Sequence, residues 1–203
     1  MEEIKEAEYY RYVPTVSTGD SANVYNVQFE KGKGYVATLA RVIDKDTAVY
    51  TYEEVAEYYM NFRTLPPNYG SKSSGSVDRR AKSYYRTEGH SNDYTVPLGT
   101  FNEPIGGEYI EFDIGEKNGS YSFSRRGAYR LVVVVDGINE DGYGSEPVCY
   151  MTSDHYADFR EYYGYNGGWS PLFAGIKNSS GSYTNTPVTD QTRVHPETII
   201  PTF

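Results

Sequence analysis

Tyr109-Ile110-Glu111-Phe112-Asp113-Ile114 (109–114) is the stretch on which the fold turns. Ile110, Phe112 and Ile114 alternate with Glu111 and Asp113, and a period of two marks a β-strand. One face of that strand is apolar, and the other carries two carboxylates. Downstream, Leu131-Val132-Val133-Val134-Val135 is an unbroken aliphatic run that reads as a buried central strand. The turn-like Asp136-Gly137-Ile138-Asn139-Glu140-Asp141-Gly142 separates it from a further strand over 147–152.

Upstream the period changes. Thr51 is a good N-cap with Glu54 three residues on, which predicts a capping box. Tyr52, Val55, Ala56, Tyr59 and Phe62 then fall on one face at helical spacing, until Leu65-Pro66-Pro67 ends the helix. A shorter second helix is expected over about 77–85, after the Ser/Gly-rich 71–76. Helices first and strands second predict an α+β fold, with N-terminal helices packed on a twisted antiparallel β-sheet. Two strands over 24–29 and 35–42 flank the turn-prone Glu30-Lys31-Gly32-Lys33-Gly34. The predicted organisation is an N-terminal extension over 1–45, either a β-hairpin or a loosely held arm, a core domain over 46–163, and a Gly/Ser/Thr-rich C-terminal extension over 164–203.

Composition narrows the classes. The 203 residues can bury one good core, and 23 tyrosines and 20 glycines with few leucines suit strands and turns better than a helical bundle. No apolar run is long enough to span a membrane. No basic region followed by an apolar core opens the chain; the expected location is extracellular, with Met1 at the boundary of a processed protein. Cys149 is alone and sits in an apolar run, so it is expected as a buried thiol and not as a nucleophile. The formal charge of −9 argues against a general polyanion-binding surface, because such affinity comes from basic charge. A local basic pocket on an acidic body remains compatible with it. Asp136, Asp141 and the acids between lack the spacing of a calcium loop, and no zinc-type cluster of Cys and His exists, so no metal or other cofactor is expected.

The chemistry-bearing residues come in a fixed order. Glu111 is followed by Arg126 and Arg130 in Arg-Gly-Ala-Tyr-Arg-Leu (126–131), then by His155 in Thr-Ser-Asp-His-Tyr (152–156). A carboxylate base, an imidazole acid and paired guanidiniums are what cleavage of a phosphodiester by side chains alone requires. Arginine suits the phosphate because its planar fork matches two oxygens and stays charged at any working pH. The bland reading of the same residues is an ion-pair ladder across a sheet.

These blocks, together with the helix that exits through Leu65-Pro66-Pro67-Asn68-Tyr69 to Lys72, resemble the barnase-type, guanyl-preferring microbial ribonucleases over roughly residues 47–161. The four-residue step between the arginines agrees with that family. The intervals from Glu111 to Arg126 and from Arg130 to His155 are longer by about five and about ten residues, in turn-like sequence that tolerates length. The guanine loop is short and contains Pro104. The resemblance implies a metal-independent endoribonuclease that makes a 2′,3′-cyclic phosphate. It puts the general base at Glu111, the general acid at His155, and the phosphate-binding cations at Arg126, Arg130 and Lys72. It puts Tyr156 beside the bound base, Asp113 on the arginines, and Glu103 on the N1 and N2 edge of guanine. His155 is expected to be kept protonated by acids such as Asp154. Single-stranded RNA is the implied substrate of a monomer, and the family's proteinaceous inhibitors are the implied regulators. The competing readings are a secreted, non-catalytic binding module on a ribonuclease-like scaffold and an inhibitor-controlled ribonuclease toxin.

Overall fold

The computed structural model describes residues 10–71, 78–86, 107–115, 126–135, 146–156, 158–174, 197–199 and 201. In chain order the elements are β1 (Tyr10–Tyr12), β2 (Ser21–Glu30), β3 (Gly34–Asp44), α1 (Tyr52–Phe62), β4 (Tyr69–Gly70), β5 (Arg79–Arg86) and β6 (Gly107–Asp113). They continue with β7 (Arg130–Val134), β8 (Val148–Thr152), β9 (Asp158–Glu161), β10 (Phe173–Ala174) and β11 (Glu197–Ile199). A seven-stranded sheet runs in the order β10-β9-β8-β7-β6-β5-β4. Its pairs are antiparallel except β4–β5, which is parallel.

Helix α1 forms as its sequence predicts. The Thr51 hydroxyl accepts from the Glu54 amide at 3.2 Å, and the Glu54 carboxylate accepts from the Thr51 amide at 3.2 Å, closing the capping box. Arg63 ends the helix in the left-handed region at φ 55°. Val55, Ala56, Tyr59 and Met60 pack on Ile110, Phe112, Leu131, Val133 and Cys149, which all project from one face of the sheet. The Cys149 thiol is fully buried there, and burial pushes its pKa up to about 12, so it is no nucleophile.

The expectation of N-terminal helices on an antiparallel sheet is corrected by the structure. Among the described residues α1 is the one helix, three strands precede it, the sheet is mixed, and the fold is mostly β. The second predicted helix is strand β5, paired on one side with β4 and on the other, over six residues, with β6. Arg, Ala and Lys favour a helix over poorer formers by less than about 0.7 kcal/mol per residue. Ladder hydrogen bonds contribute about 1 kcal/mol each, and Ala81 joins the core beneath α1. Tertiary pairing therefore overrides local preference in this segment.

The opposite face of the sheet carries a second apolar cluster of Tyr109, Val132, Val134, Val148, Tyr150, Phe159 and Phe173, joined by Tyr156. The N-terminal strands join the core beneath α1 through Ala22 and Ile43 and build a third cluster from Tyr12, Val27 and Ala37. β2 and β3 form an antiparallel hairpin, the first of the two arrangements open to the predicted strands. Arg41 of β3 pins the hairpin to the core by donating to Asn166, Glu53 and Glu57. β1 pairs with β11 in parallel, and its Tyr12 amide donates to the Tyr163 carbonyl at 2.7 Å. No described helix is long and apolar enough to cross a membrane.

Candidate functional site

Period two puts Glu111 and Asp113 on the face of β6 away from α1, and both are buried, at 4% and 0% exposure. The register of β6 and β7 sets Arg130 directly across from Asp113. Arg126 reaches the same acids from the segment just before β7. Its Nε lies 2.9 and 2.8 Å from the two Asp113 oxygens, and its Nη2 donates to Asp113 at 2.6 Å and also to Glu111. Asp113 thus holds the Arg126 guanidinium in place. It is too enclosed to touch a substrate.

Arg130 is 3% exposed and braced by backbone. Its Nη1 donates to the Tyr129 carbonyl at 2.7 Å and to the Arg126 carbonyl at 3.2 Å. Its Nε is ion-paired with Asp113 at 3.2 Å and Glu111 at 3.5 Å, yet makes no hydrogen bond among the described residues. The two carboxylates balance the charge of this buried guanidinium, which is fixed in place rather than exposed.

His155 and Tyr156 follow β8 in a tight turn. Both take positive φ, 50° and 73°, a region that costs ordinary residues energy and recurs at functional sites. Thr152 holds the turn, its hydroxyl accepting from the amides of Asp154 at 3.3 Å and Tyr156 at 3.0 Å. The turn brings the imidazole into the field of the cluster. Burial, followed by the charge of Arg130, lowers the His155 pKa below its ordinary value; Glu111 opposes this, Arg126 adds to it, and Asp154 opposes it. The expectation that neighbouring acids keep His155 protonated is therefore reversed in the free protein. Desolvation and the arginines outweigh them.

Tyr156 has a different place from the one the resemblance implies. It is 6% exposed and belongs to the second apolar cluster, with its ring 4.9 Å from that of His155. Burial, then the charge of Glu111 and a hydrogen bond to that carboxylate, raise its phenol pKa. With its ring enclosed, it supports Glu111 and offers no free face to a base. Lys72 and Glu103 lie outside the described residues.

The fold also brings in a residue that the sequence reading left out. Lys82 of β5 is the Cα partner of Glu111 across the β5–β6 ladder, so the two share a face. Its neighbours Arg80-Ala81-Lys82-Ser83-Tyr84 alternate basic or aromatic with small residues, a signal masked by the helical reading of the segment. Together the described cluster holds an acceptor at Glu111, a neutral-leaning imidazole at His155 and guanidiniums at Arg126 and Arg130. That set can move protons and hold an anion. Among the described residues no group of three or more His, Cys, Asp or Glu side chains is placed to hold a metal ion. No family model, curated protein or solved structure matches this chain.

Proposed function

We propose that this chain is a barnase-type endoribonuclease that cleaves single-stranded RNA by transesterification, with both proton transfers made by side chains. The observation that carries the reading is the ion-pair network of Glu111 and Asp113 on β6 with Arg130 on β7 and Arg126 just before it, whose charges act on His155 in the turn after β8. Glu111 removes the proton from a ribose 2′-hydroxyl, and that oxygen attacks phosphorus in line. Arg126 and Arg130 balance the charge that develops on the phosphoryl oxygens. His155 donates a proton to the 5′-oxygen as its bond to phosphorus breaks, leaving a 2′,3′-cyclic phosphate. Water then opens the ring with the acid and base roles exchanged. The phosphate supplies what the free site lacks, since its negative charge favours imidazolium. Guanine preference through Glu103 and a phosphate contact from Lys72 rest on the resemblance alone.

One observation favours a second reading. Glu111, Asp113 and Arg130 are almost wholly enclosed, as members of a purely structural ion-pair cluster would be. A labelled single-stranded RNA, incubated with the protein in EDTA and analysed for its ends, separates the two. The ribonuclease reading expects cleavage that survives chelation, leaves a cyclic phosphate, and is lost in Glu111→Gln. Intact RNA, or cleavage that returns only with a divalent ion, overturns it.

A further inference from the structure

The sheet face that carries Glu111 is divided by chemistry. On the β7, β8 and β9 side it is filled by Val132, Val134, Val148, Tyr150 and Phe159, all buried and apolar, so that side offers a polyanion nothing. On the β5 side, Arg80 and Lys82 project from the same face, two residues apart and both half-exposed. Lys82 is aligned with Glu111, and antiparallel Cα partners stand only about 4.5–5.5 Å apart, within reach of a flexible four-carbon stem. Arg80 stands one strand repeat farther on, about 6.6 Å away. On a chain with a net charge of −9, such a local pair of cations decides where a polyanion can lie.

We propose that the RNA strand runs along the β5 side of the site, with Lys82 on the phosphate that is cleaved and Arg80 on the next phosphate of the chain. This rests on the ribonuclease reading and adds to it the direction of the substrate and two phosphate-binding residues. Lys82 supplies a point charge beside the base, where the attacking oxygen and phosphorus meet. Arg80 grips a part of the substrate that does not react, so it serves polymers and not dinucleotides.

The test uses the full chain and its Lys82→Met, Lys82→Arg and Arg80→Met variants, each checked for unchanged thermal melting. Two readouts are taken: cleavage of an oligoribonucleotide and of a dinucleoside monophosphate, and anisotropy binding of a fully 2′-O-methylated oligomer that cannot cyclise. Lys82→Met should lower kcat/KM at least tenfold on both substrates, and Lys82→Arg should recover most of it. Arg80→Met should lower kcat/KM several-fold on the oligomer and leave the dinucleotide unchanged. Each lost cation should reduce the slope of log affinity against log salt by roughly 0.7 for the methylated strand. If the parent protein cleaves RNA but neither variant changes binding or salt slope, the β5 path is overturned and the ribonuclease reading stands. Binding that depends on Lys82 and Arg80 without any cleavage supports the path and overturns the ribonuclease chemistry. Neither binding nor cleavage by the parent overturns both, and cleavage without binding of the methylated strand overturns the path alone.

Discussion

His155 shows how a single side chain takes its properties from its surroundings. Next to Asp154 it should gain a proton, yet burial and Arg130 hold its pKa below the ordinary value of about 6.5. As the proposed acid it must be protonated, and its protonated fraction falls as pH rises through that lowered value. The alkaline limb of kcat/KM, which reports the free enzyme, should therefore lie below pH 6.5, and that of kcat should lie higher because bound phosphate favours imidazolium. An alkaline limb of kcat/KM above pH 7 would assign the limb to another group. His155→Ala and Glu111→Gln should each reduce the rate of cyclisation by roughly 10²-fold or more. Gln is the informative replacement at Glu111, since it keeps an oxygen for Arg126 in a buried site where Ala would leave the arginine facing an empty space. Equal rates in parent and variants, measured by single turnover, would make both residues structural.

At the scale of the element, α1 carries two measurable features. Its N-terminus depends on the reciprocal Thr51 and Glu54 bonds, so Thr51→Ala should cost about 1 kcal/mol in urea unfolding, with little change in the sheet. Its middle buries Glu57, which accepts from Arg41 of the hairpin and, at 3.0 Å, from the Tyr162 hydroxyl. Burial outweighs Arg41 and pushes the Glu57 pKa up to about 7. A carboxyl whose pKa is raised on folding stabilises most below its unfolded pKa and loses that contribution as pH rises through the folded one. Stability should thus fall between about pH 4.5 and pH 8 by on the order of 3 kcal/mol, and Glu57→Gln should flatten that dependence. An unchanged pH profile in the variant would place the titration elsewhere. The capping box was legible in the sequence because all its partners lie within four residues. The hairpin strands were legible because one short turn at 31–33 joins them, so their pairing follows from neighbouring sequence. Strand β5 was not, because what makes it a strand is β6, beginning more than twenty residues later.

Across the whole molecule, one of the points that tie the N-terminal strands to the core is crowded. Gly164 has φ +85°, and a Cβ there would lie 1.8 Å from the Tyr12 carbonyl oxygen. That oxygen is backbone and cannot swing aside. Gly164→Ala should lower stability by about 2 kcal/mol or more, combining a left-handed backbone with a steric clash. Because Tyr12 leads directly into the packing of the hairpin, limited proteolysis of this variant should cut within residues 10–45 first. Uniform protection of that segment would show that the hairpin's other ties, through Arg41 and Asn166, suffice to hold it.

The sequence by itself determined what local order can encode: the period of 109–114, the N-cap of α1, the buried thiol in the strand of Val148, and the succession of acid, arginines and histidine. The two faces of β6 follow from alternation, since neighbouring side chains on a strand must point in opposite directions. Only the tertiary structure decided that Arg130 stands across from Asp113, that Lys82 stands across from Glu111, and that the Tyr156 hydroxyl supports Glu111. Register between distant strands is set by which side chains can be buried together, a property of the pair and of neither strand alone. The charge state of His155 belongs to the same class, because desolvation and the field of Arg130 exist only once the chain has folded around it.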